Sequence, residues 1–266
     1  MARRPLLADL PRPLGGLPPV PGVLLRYLPG VDNRAAWEVE AENWVRWART
    51  PGHDAYWYYR DAFFDRIVPT PGRTTVEVGC GEGRVTRDLA ARGHRVLSLD
   101  GSATLLRYAR QADPSGHYLL ADAPALPFAD RSVDLAVAYN TLMDFDDMPG
   151  AVREVARVLE PGAVFCICIT HPVFEAGGFE DDTNDAPYVL RAEYLGRRPF
   201  EATIVKRGVT MRFRGWSHSL ENYFLALSSA GFVVDSLREP VPRPLADHLR
   251  QWSRYPMFLH LRAVKL

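Results

Sequence analysis

Cysteine is scarce in this chain of 266 residues. Cys80, Cys166 and Cys168 are too few for a disulfide framework and lack the spacing and partners of a zinc site. Neither charge is in excess, since 32 Lys and Arg face 32 Asp and Glu, and no net field draws the chain to nucleic acid or an anionic membrane. Long apolar runs are missing as well: the longest clean one, Ala163 to Ile169, falls far short of a membrane span. Met1-Ala2-Arg3-Arg4-Pro5 has the basic start of an export signal, but Pro11, Pro13, Pro18, Pro19 and Pro21 cut the apolar stretch behind it. A soluble, cytoplasmic protein without a metal site is expected.

What is present suits a folded domain. Hydrophobic residues make up 47% of the chain and charged ones 24%, enough for a sizeable core, and the length suits one large domain with an appendage. Seven prolines and four glycines in the first thirty residues make 1–34 a proline-rich arm, extended or disordered. Over 35–69, Trp37, Trp44, Val45 and Trp47 and then Tyr56, Trp57, Tyr58, Tyr59, Phe63 and Phe64 read as two aromatic helices, broken at Pro51-Gly52 and with Asp54 as the second N-cap. Such a pair serves either as core or as a lid over a ligand.

Strand and helix then alternate through 70–171. Thr74 to Val78, Arg95 to Leu99, His117 to Ala121, Val133 to Tyr139 and Ala163 to Ile169 read as strands. Val85 and Leu89 mark one intervening helix, Leu105, Leu106 and Ala109 a second, and Met148, Val152, Val155 and Leu159 a third. This rhythm predicts an α/β fold with a doubly wound, mostly parallel sheet. Residues 172–216 break the rhythm and read as an insertion on the substrate side, with Tyr188 to Tyr194 and Thr203 to Phe213 as strands. A helix from Leu220 to Ala230 and strands Phe232 to Leu237 and Met257 to Val264 close the core over 217–266.

The first strand runs into Gly79-Cys80-Gly81-Glu82-Gly83, where backbone approaches a ligand closely. In a dinucleotide fingerprint the third glycine comes one residue later, and Glu77 would set a like charge toward a pyrophosphate. Both features suit a ligand with a cationic amino acid end and no phosphate. Val76-Glu77-Val78-Gly79-Cys80-Gly81-Glu82-Gly83 resembles the E/D-x-G-x-G-x-G motif of class I (Rossmann-like) S-adenosylmethionine-dependent methyltransferases, bacterial small-molecule and natural-product tailoring enzymes among them. The resemblance covers about residues 70 to 170 well, and it implies a seven-stranded sheet, S-adenosyl-L-methionine as cofactor and S-adenosyl-L-homocysteine as product.

Residue by residue, the resemblance implies that Glu77, Gly79, Cys80, Gly81 and Gly83 line the cofactor. It puts Asp100, with Gly101 and Ser102, on the ribose hydroxyls, Asp122-Ala123 near the adenine amino group, and Asn140-Thr141 under the methionine. Tyr59 and Arg60 are expected to close over the methionine end, Arg60 on its carboxylate, unless Arg60 is an ordinary surface arginine. On the acceptor side, His171 directly follows the fifth strand and is either a general base or a structural histidine. Glu175 is a candidate to steady a cationic intermediate or take its proton, and Trp216 and His218 are pocket candidates. The aromatic helices and the insertion point to a hydrophobic or aromatic small-molecule acceptor, methylated on C, N or O. Neither nucleic acid nor a membrane is expected as a partner, and a monomer or homodimer is expected. Two other readings stay open: a S-adenosylmethionine-binding protein without methyl transfer (a cyclase or a regulatory binder), and a protein or RNA methyltransferase.

Overall fold

The computed structural model describes residues 32–245 and 247–266. The proline-rich arm expected over 1–34 therefore lies outside the described residues, except Asp32, Asn33 and Arg34. Asp32 accepts the Arg34 amide and so caps α1 (Asn33–Arg49), which leads to α2 (Tyr56–Arg66). The N-cap position of α2 is Ala55 rather than Asp54, although the Asp54 carboxylate still accepts the Tyr56 amide at 2.6 Å.

The alternating segment comprises β1 (Thr75–Val78), α3 (Arg84–Ala91), β2 (Val96–Asp100), α4 (Ala103–Ala112), β3 (His117–Leu120), β4 (Val133–Tyr139), α5 (Met148–Val158) and β5 (Leu159–Thr170). Side chains start its helices: Ser102 Oγ accepts the Leu105 amide at 3.1 Å and Asp147 Oδ1 the Gly150 amide at 2.8 Å. Leu159, expected as the last core position of α5, instead opens β5, because Pro161 biases the residue before it toward extended backbone.

The insertion holds α6 (Pro172–Ala176), β6 (Gly177–Phe179), β7 (Tyr188–Leu190), β8 (Arg197–Lys206) and β9 (Val209–His218). The strand expected from Thr203 to Phe213 is two strands, for Arg207 and Gly208 both take positive φ (49° and 79°) and make the hairpin turn inside it. That turn lacks the usual Asn-Gly or Asp-Gly signature, so the sequence pattern ran straight through it. Then α7 (Leu220–Ser229), β10 (Phe232–Arg238) and β11 (Phe258–Lys265) complete the chain.

One seven-stranded sheet runs in the order β10-β11-β5-β4-β1-β2-β3. The strands from β1 to β5 pair in parallel, while β11 is antiparallel to both β5 and β10. Alternation along the central strands separates two cores. Leu135, Val137, Tyr139, Cys166 and Cys168 face α2 and α3 through Tyr59, Phe63 and Leu89, whereas Ala136, Ala138, Phe165, Ile167 and Ile169 face α5 and α7. The chain reverses winding direction between β1 and β4, and the loops leaving their carboxyl ends meet there.

Two further elements cover that edge. The β8–β9 hairpin packs on α1, with Phe213 edge-on to Trp44 and Trp47 at ring separations of 6.3 and 5.7 Å. Its tip is fastened to the α1–α2 connection, where Lys206 Nζ donates to Gly52 O at 2.6 Å and His53 Nε2 lies 2.8 Å from Lys206 O. Among the described residues, no helix is long and apolar enough to cross a membrane.

Candidate active site

Sterics fix the loop after β1. Gly79, Gly81 and Gly83 have φ of 76°, 56° and 82°, and the amides of Gly79 and Cys80 both donate to Leu99 O at 2.8 Å. A Cβ on Gly79 would overlap Thr141 Oγ1 and lie 2.8 Å from Thr141 Cβ, so the loops after β1 and β4 touch with no room to spare. A Cβ on Gly83 would meet Tyr118 Oη at 3.0 Å and Ala109 Cβ at 3.1 Å, which is how close α3, α4 and β3 come together. Cys80 lends its backbone to the loop while its side chain is buried with Leu106, Ala109 and Tyr118.

Asp100 clasps this loop from the end of β2. Its carboxylate accepts the Gly81 amide at 2.7 Å and the Ser102 amide at 2.8 Å, and burial pushes its pKa up to about 6 against those bonds. A carboxylate has about four lone-pair directions, so acceptor capacity remains for a diol. Beside it, Gly101 lies under Arg34, whose Cγ and Cδ would be 3.0 Å from an added Cβ. Ser102 Oγ donates to Glu38 at 2.5 Å. Asp122 ends the row, both oxygens 2.7 Å from Arg34 Nη1, and the neighbouring Ala123 is buried in the core. After β4, Asn140 takes a positive φ of 56° and its buried Oδ1 has no hydrogen-bond partner.

Glu77 is turned the other way. It is 1% exposed, with Oε2 held by Thr86 Oγ1 at 2.5 Å and Ser98 Oγ at 3.5 Å beneath the loop. Burial pushes it up to about 8. The unfolded carboxyl titrates near about 4.3, so stability from this group is full below that value and is lost as pH rises through about 8. Glu77→Gln is therefore expected to raise the thermal midpoint by several degrees at about pH 8 and to change it little at about pH 5. Equal shifts at both would contradict the buried placement.

Tyr59 and Arg60 do not reach the loop. Tyr59 is fully buried against Phe258, at a ring separation of 4.9 Å, and Arg60 pairs with Asp88 on α3 at 2.9 Å. The cation that does stand there is Arg84, the residue after Gly83, to which the sequence pattern assigned no role. Its guanidinium lies 4.9 Å from the Trp44 ring and 4.4 Å from the Tyr56 ring. Nη1 is 3.2 Å from Asp54 Oδ1 without an aligned hydrogen bond, which leaves a buried donor free.

On the far side of β4 the structure gathers polar groups that the sequence left scattered. Asp144 ends the short 3-10 turn after β4 (Leu142–Asp144), Glu175 lies on α6, Ser217 and His218 end β9, and Tyr223 lies on α7. Burial, then the charges of Glu175 and Asp100, push Asp144 well above the usual carboxylate range; burial puts Glu175 at about 7 although Thr170 donates to it. The Tyr223 hydroxyl, His218 Nε2, Ser217 Oγ and Glu175 Oε2 are buried with no hydrogen-bond partner. Trp216 points elsewhere, its Nε1 donating to Asp146 at 2.8 Å and its ring 3.5 Å from the Arg197 guanidinium carbon.

His171 sits where expected, at the end of β5, with both ring nitrogens engaged. Nδ1 accepts the Val173 amide at 3.1 Å and caps α6, while Nε2 lies 3.1 Å from Glu239 Oε1. His171→Ala is expected to cost about 1 kcal/mol in urea unfolding, the value of an N-cap, with the pH profile of turnover unchanged. Lost turnover at full stability would make it a base instead.

With this geometry in view, the chain compares as follows. A family model described as "Methyltransferase domain" matches residues 76–167, from β1 to β5 and so through every loop just described. Residues 76–167 are a methyltransferase domain. A malonyl-[acyl-carrier protein] O-methyltransferase of Serratia marcescens is 36% identical over 94 residues, 35% of this chain and 37% of that protein. A demethylmenaquinone methyltransferase of Corynebacterium kroppenstedtii is 34% identical over 119 residues, 45% of this chain and 50% of that one. The chain thus spans half or less of the length of these relatives. The crystal structure of a S-adenosylmethionine-dependent methyltransferase from Mesorhizobium loti superposes with a TM-score of 0.63 at 26% identity, over 80% of this chain and 98% of that one.

The domain and its structural relatives are those of S-adenosylmethionine-dependent methyltransferases, and the residues present fit that cofactor. Gly79 and Gly83 leave no room for a Cβ, Asp100 retains acceptor capacity, and Arg84 Nη1 and Asn140 Oδ1 are buried without a hydrogen-bond partner.

Proposed function

We propose that this protein transfers a methyl group from S-adenosylmethionine to a small hydrophobic or aromatic molecule. The observation that carries the reading is Asp100, held between the Gly81 and Ser102 amides and so fixed as an acceptor for a ribose diol at the strand end beside the switch point. When bound, the cofactor supplies a methyl already made electrophilic by its sulfonium, so the protein's work is to bind, orient and exclude water.

In this reading Asp100 and Asp122 take the adenosine end, the glycine-loop backbone packs against it from below, and Arg84 takes the methionine carboxylate. Asn140 Oδ1 accepts from the methionine ammonium. Glu77 supports the loop from underneath, and Tyr59 and Arg60 hold α2 to the sheet. α1 is the roof. Arg34 on Asp122, Glu38 on Ser102 and Trp44 over Gly81 hold α1 across the adenosine side, and the hairpin packs on α1 from outside. His171 positions α6, and with it Glu175, whose free Oε2 is the proton acceptor.

The reading extends to secondary metabolism as the setting, with a cytoplasmic monomer or homodimer acting without nucleic acid. The equal count of acidic and basic residues supports the last point. The test is mass spectrometry of aromatic and terpenoid acceptors incubated with the protein and S-adenosylmethionine. A gain of one methyl on an acceptor supports it, whereas methylation only of protein or RNA contradicts it.

A further inference from the structure

We propose that Lys206, at the tip of the β8–β9 hairpin, is a positioning residue for the amino acid end of the cofactor. It holds the turn over 52–54 and, through Asp54, the guanidinium of Arg84. This rests on the reading that Arg84 takes the methionine carboxylate, and it adds how an element of the acceptor side sets that contact.

A long side chain with many rotamers recognises a carboxylate well only when its guanidinium is held beforehand. Arg84 is held on three sides. The Tyr56 ring lies 4.4 Å and the Trp44 ring 4.9 Å from the guanidinium carbon, and Asp54 Oδ1 lies 3.2 Å from Nη1. Both charged side chains are largely buried, where water screens them weakly. Nη1 nevertheless has no hydrogen-bond partner, and it is the donor left for a ligand carboxylate.

Each hold is secured separately. Tyr56 Oη donates to Asp88 Oδ2 at 2.5 Å, and Arg60 Nη1 donates to the same oxygen at 2.9 Å, which ties α2 to α3. Trp44 stands edge-on to both Trp37 and Phe213. Asp54 lies in the connection between α1 and α2, and the same Oδ1 that faces Arg84 accepts the Tyr56 amide at 2.6 Å. One oxygen thus serves both groups, holding the guanidinium by charge while its donor stays free.

What holds Asp54 in turn is the hairpin. Lys206 Nζ donates to Gly52 O at 2.6 Å and to His53 O at 3.1 Å. The second carbonyl belongs to the peptide unit that leads into Asp54, so the ammonium grips the chain next to the residue it positions. In return, His53 Nε2 lies 2.8 Å from Lys206 O, and the buried His53 ring stands edge-on to Trp47 at 5.2 Å. Gly52 takes a φ of 74°, and a Cβ there would meet Arg207 Nη1 at 3.4 Å, so the turn and the hairpin tip are in contact.

The hairpin therefore reaches both sides of the reaction. Its base, where Arg197 pairs with His218, carries Ser217 and His218 on the acceptor side, and its tip fixes the turn beside Arg84. Asp100 and Asp122, on the adenosine end, come from the loops after β2 and β3 and are held by other partners. Loss of the Lys206 contact should thus be felt at the amino acid end alone.

The experiment compares two ligands that share adenosine: S-adenosylhomocysteine, which has the amino acid end, and 5′-methylthioadenosine, which lacks it. Both are titrated calorimetrically into the full chain, and the ratio of their dissociation constants is read. Wild type is expected to favour S-adenosylhomocysteine by about thirtyfold or more, and Arg84→Met to lose most of that preference. Lys206→Met should lower the preference by about fivefold while leaving 5′-methylthioadenosine within about twofold of wild type. Lys206→Arg keeps a cation on the two carbonyls and should retain most of it. Val205→Ala, at an exposed neighbouring position, should change neither ligand. Lys206 is only half-buried, so the fold is expected to persist, and the thermal midpoint checks it.

Three results would overturn the proposal while leaving the role of Arg84 intact: a wild-type preference in Lys206→Met, an equal loss for both ligands in that variant, or the same loss in Val205→Ala. Arg84→Met that keeps the preference overturns the carboxylate assignment and the proposal with it. Wild-type protein that binds neither ligand overturns the cofactor reading itself, which separates the failures.

Discussion

Gly79→Ala is expected to weaken S-adenosylmethionine binding by about two orders of magnitude, with a smaller loss of thermal stability. At φ 76° an L side chain strains the backbone by about 1–2 kcal/mol. The new methyl group also enters the space of the Thr141 hydroxyl, and overpacking of this kind costs about 1–3 kcal/mol more. The structure yields where it is least held, at the loop, so the Gly79 and Cys80 amides leave Leu99 O and the cradle opens. Thr141→Ala in the same background removes the overlap but not the strain and should recover part of the affinity. Unchanged affinity in the single variant would contradict the placement of the ligand on this loop.

Asp100→Ala carries the second large effect. It removes the acceptor of the Gly81 and Ser102 amides together with the ribose partner, and a hydrogen bond to a charged group contributes about 1.5–3 kcal/mol. Affinity for S-adenosylmethionine should fall by about a hundredfold or more in calorimetric titration. Asp100→Asn should fall less, because it keeps one acceptor oxygen while setting an amide nitrogen against a backbone N–H. The sign with pH follows from the raised value. Burial holds Asp100 at about 6, so acid protonates it and removes acceptor capacity, and wild-type affinity should decline as pH falls below about 6. Asp100→Asn should lack that decline. A pH-independent wild type would remove Asp100 from the ribose site.

Much of the fold could be read because its signals are local. The capped, striped helices and the apolar run of β5 were visible in sequence, since Cys166 to Ile169 are all fully buried between two helical layers. The glycine loop was legible for the same reason: the end of one strand and one turn specify it within eight residues, 76–83, just before α3. The hairpin was only half legible, because Arg207-Gly208 turns the chain without a turn-like sequence around it.

The acceptor side was hidden for a different reason. Asp144, Glu175, His218 and Tyr223 come from four separate elements and meet only when the insertion folds over the sheet edge. Arg84 was in plain view beside Gly83, but its role depends on Trp44 and Tyr56, which arrive from two earlier helices and shield it from water. His171 shows the converse. Its position was foreseen, yet the partners that occupy both its nitrogens, the Val173 amide and Glu239, decide what it does.

The measurement that tests the central claim most directly is calorimetric titration of the protein with S-adenosylmethionine, S-adenosylhomocysteine and NAD(H) in parallel, repeated on Asp100→Ala. The account predicts that wild type binds the first two and not the third, and that the variant loses about a hundredfold or more in affinity for both. Folded wild-type protein that binds neither sulfur ligand, or a variant that binds them as well as wild type, would contradict it.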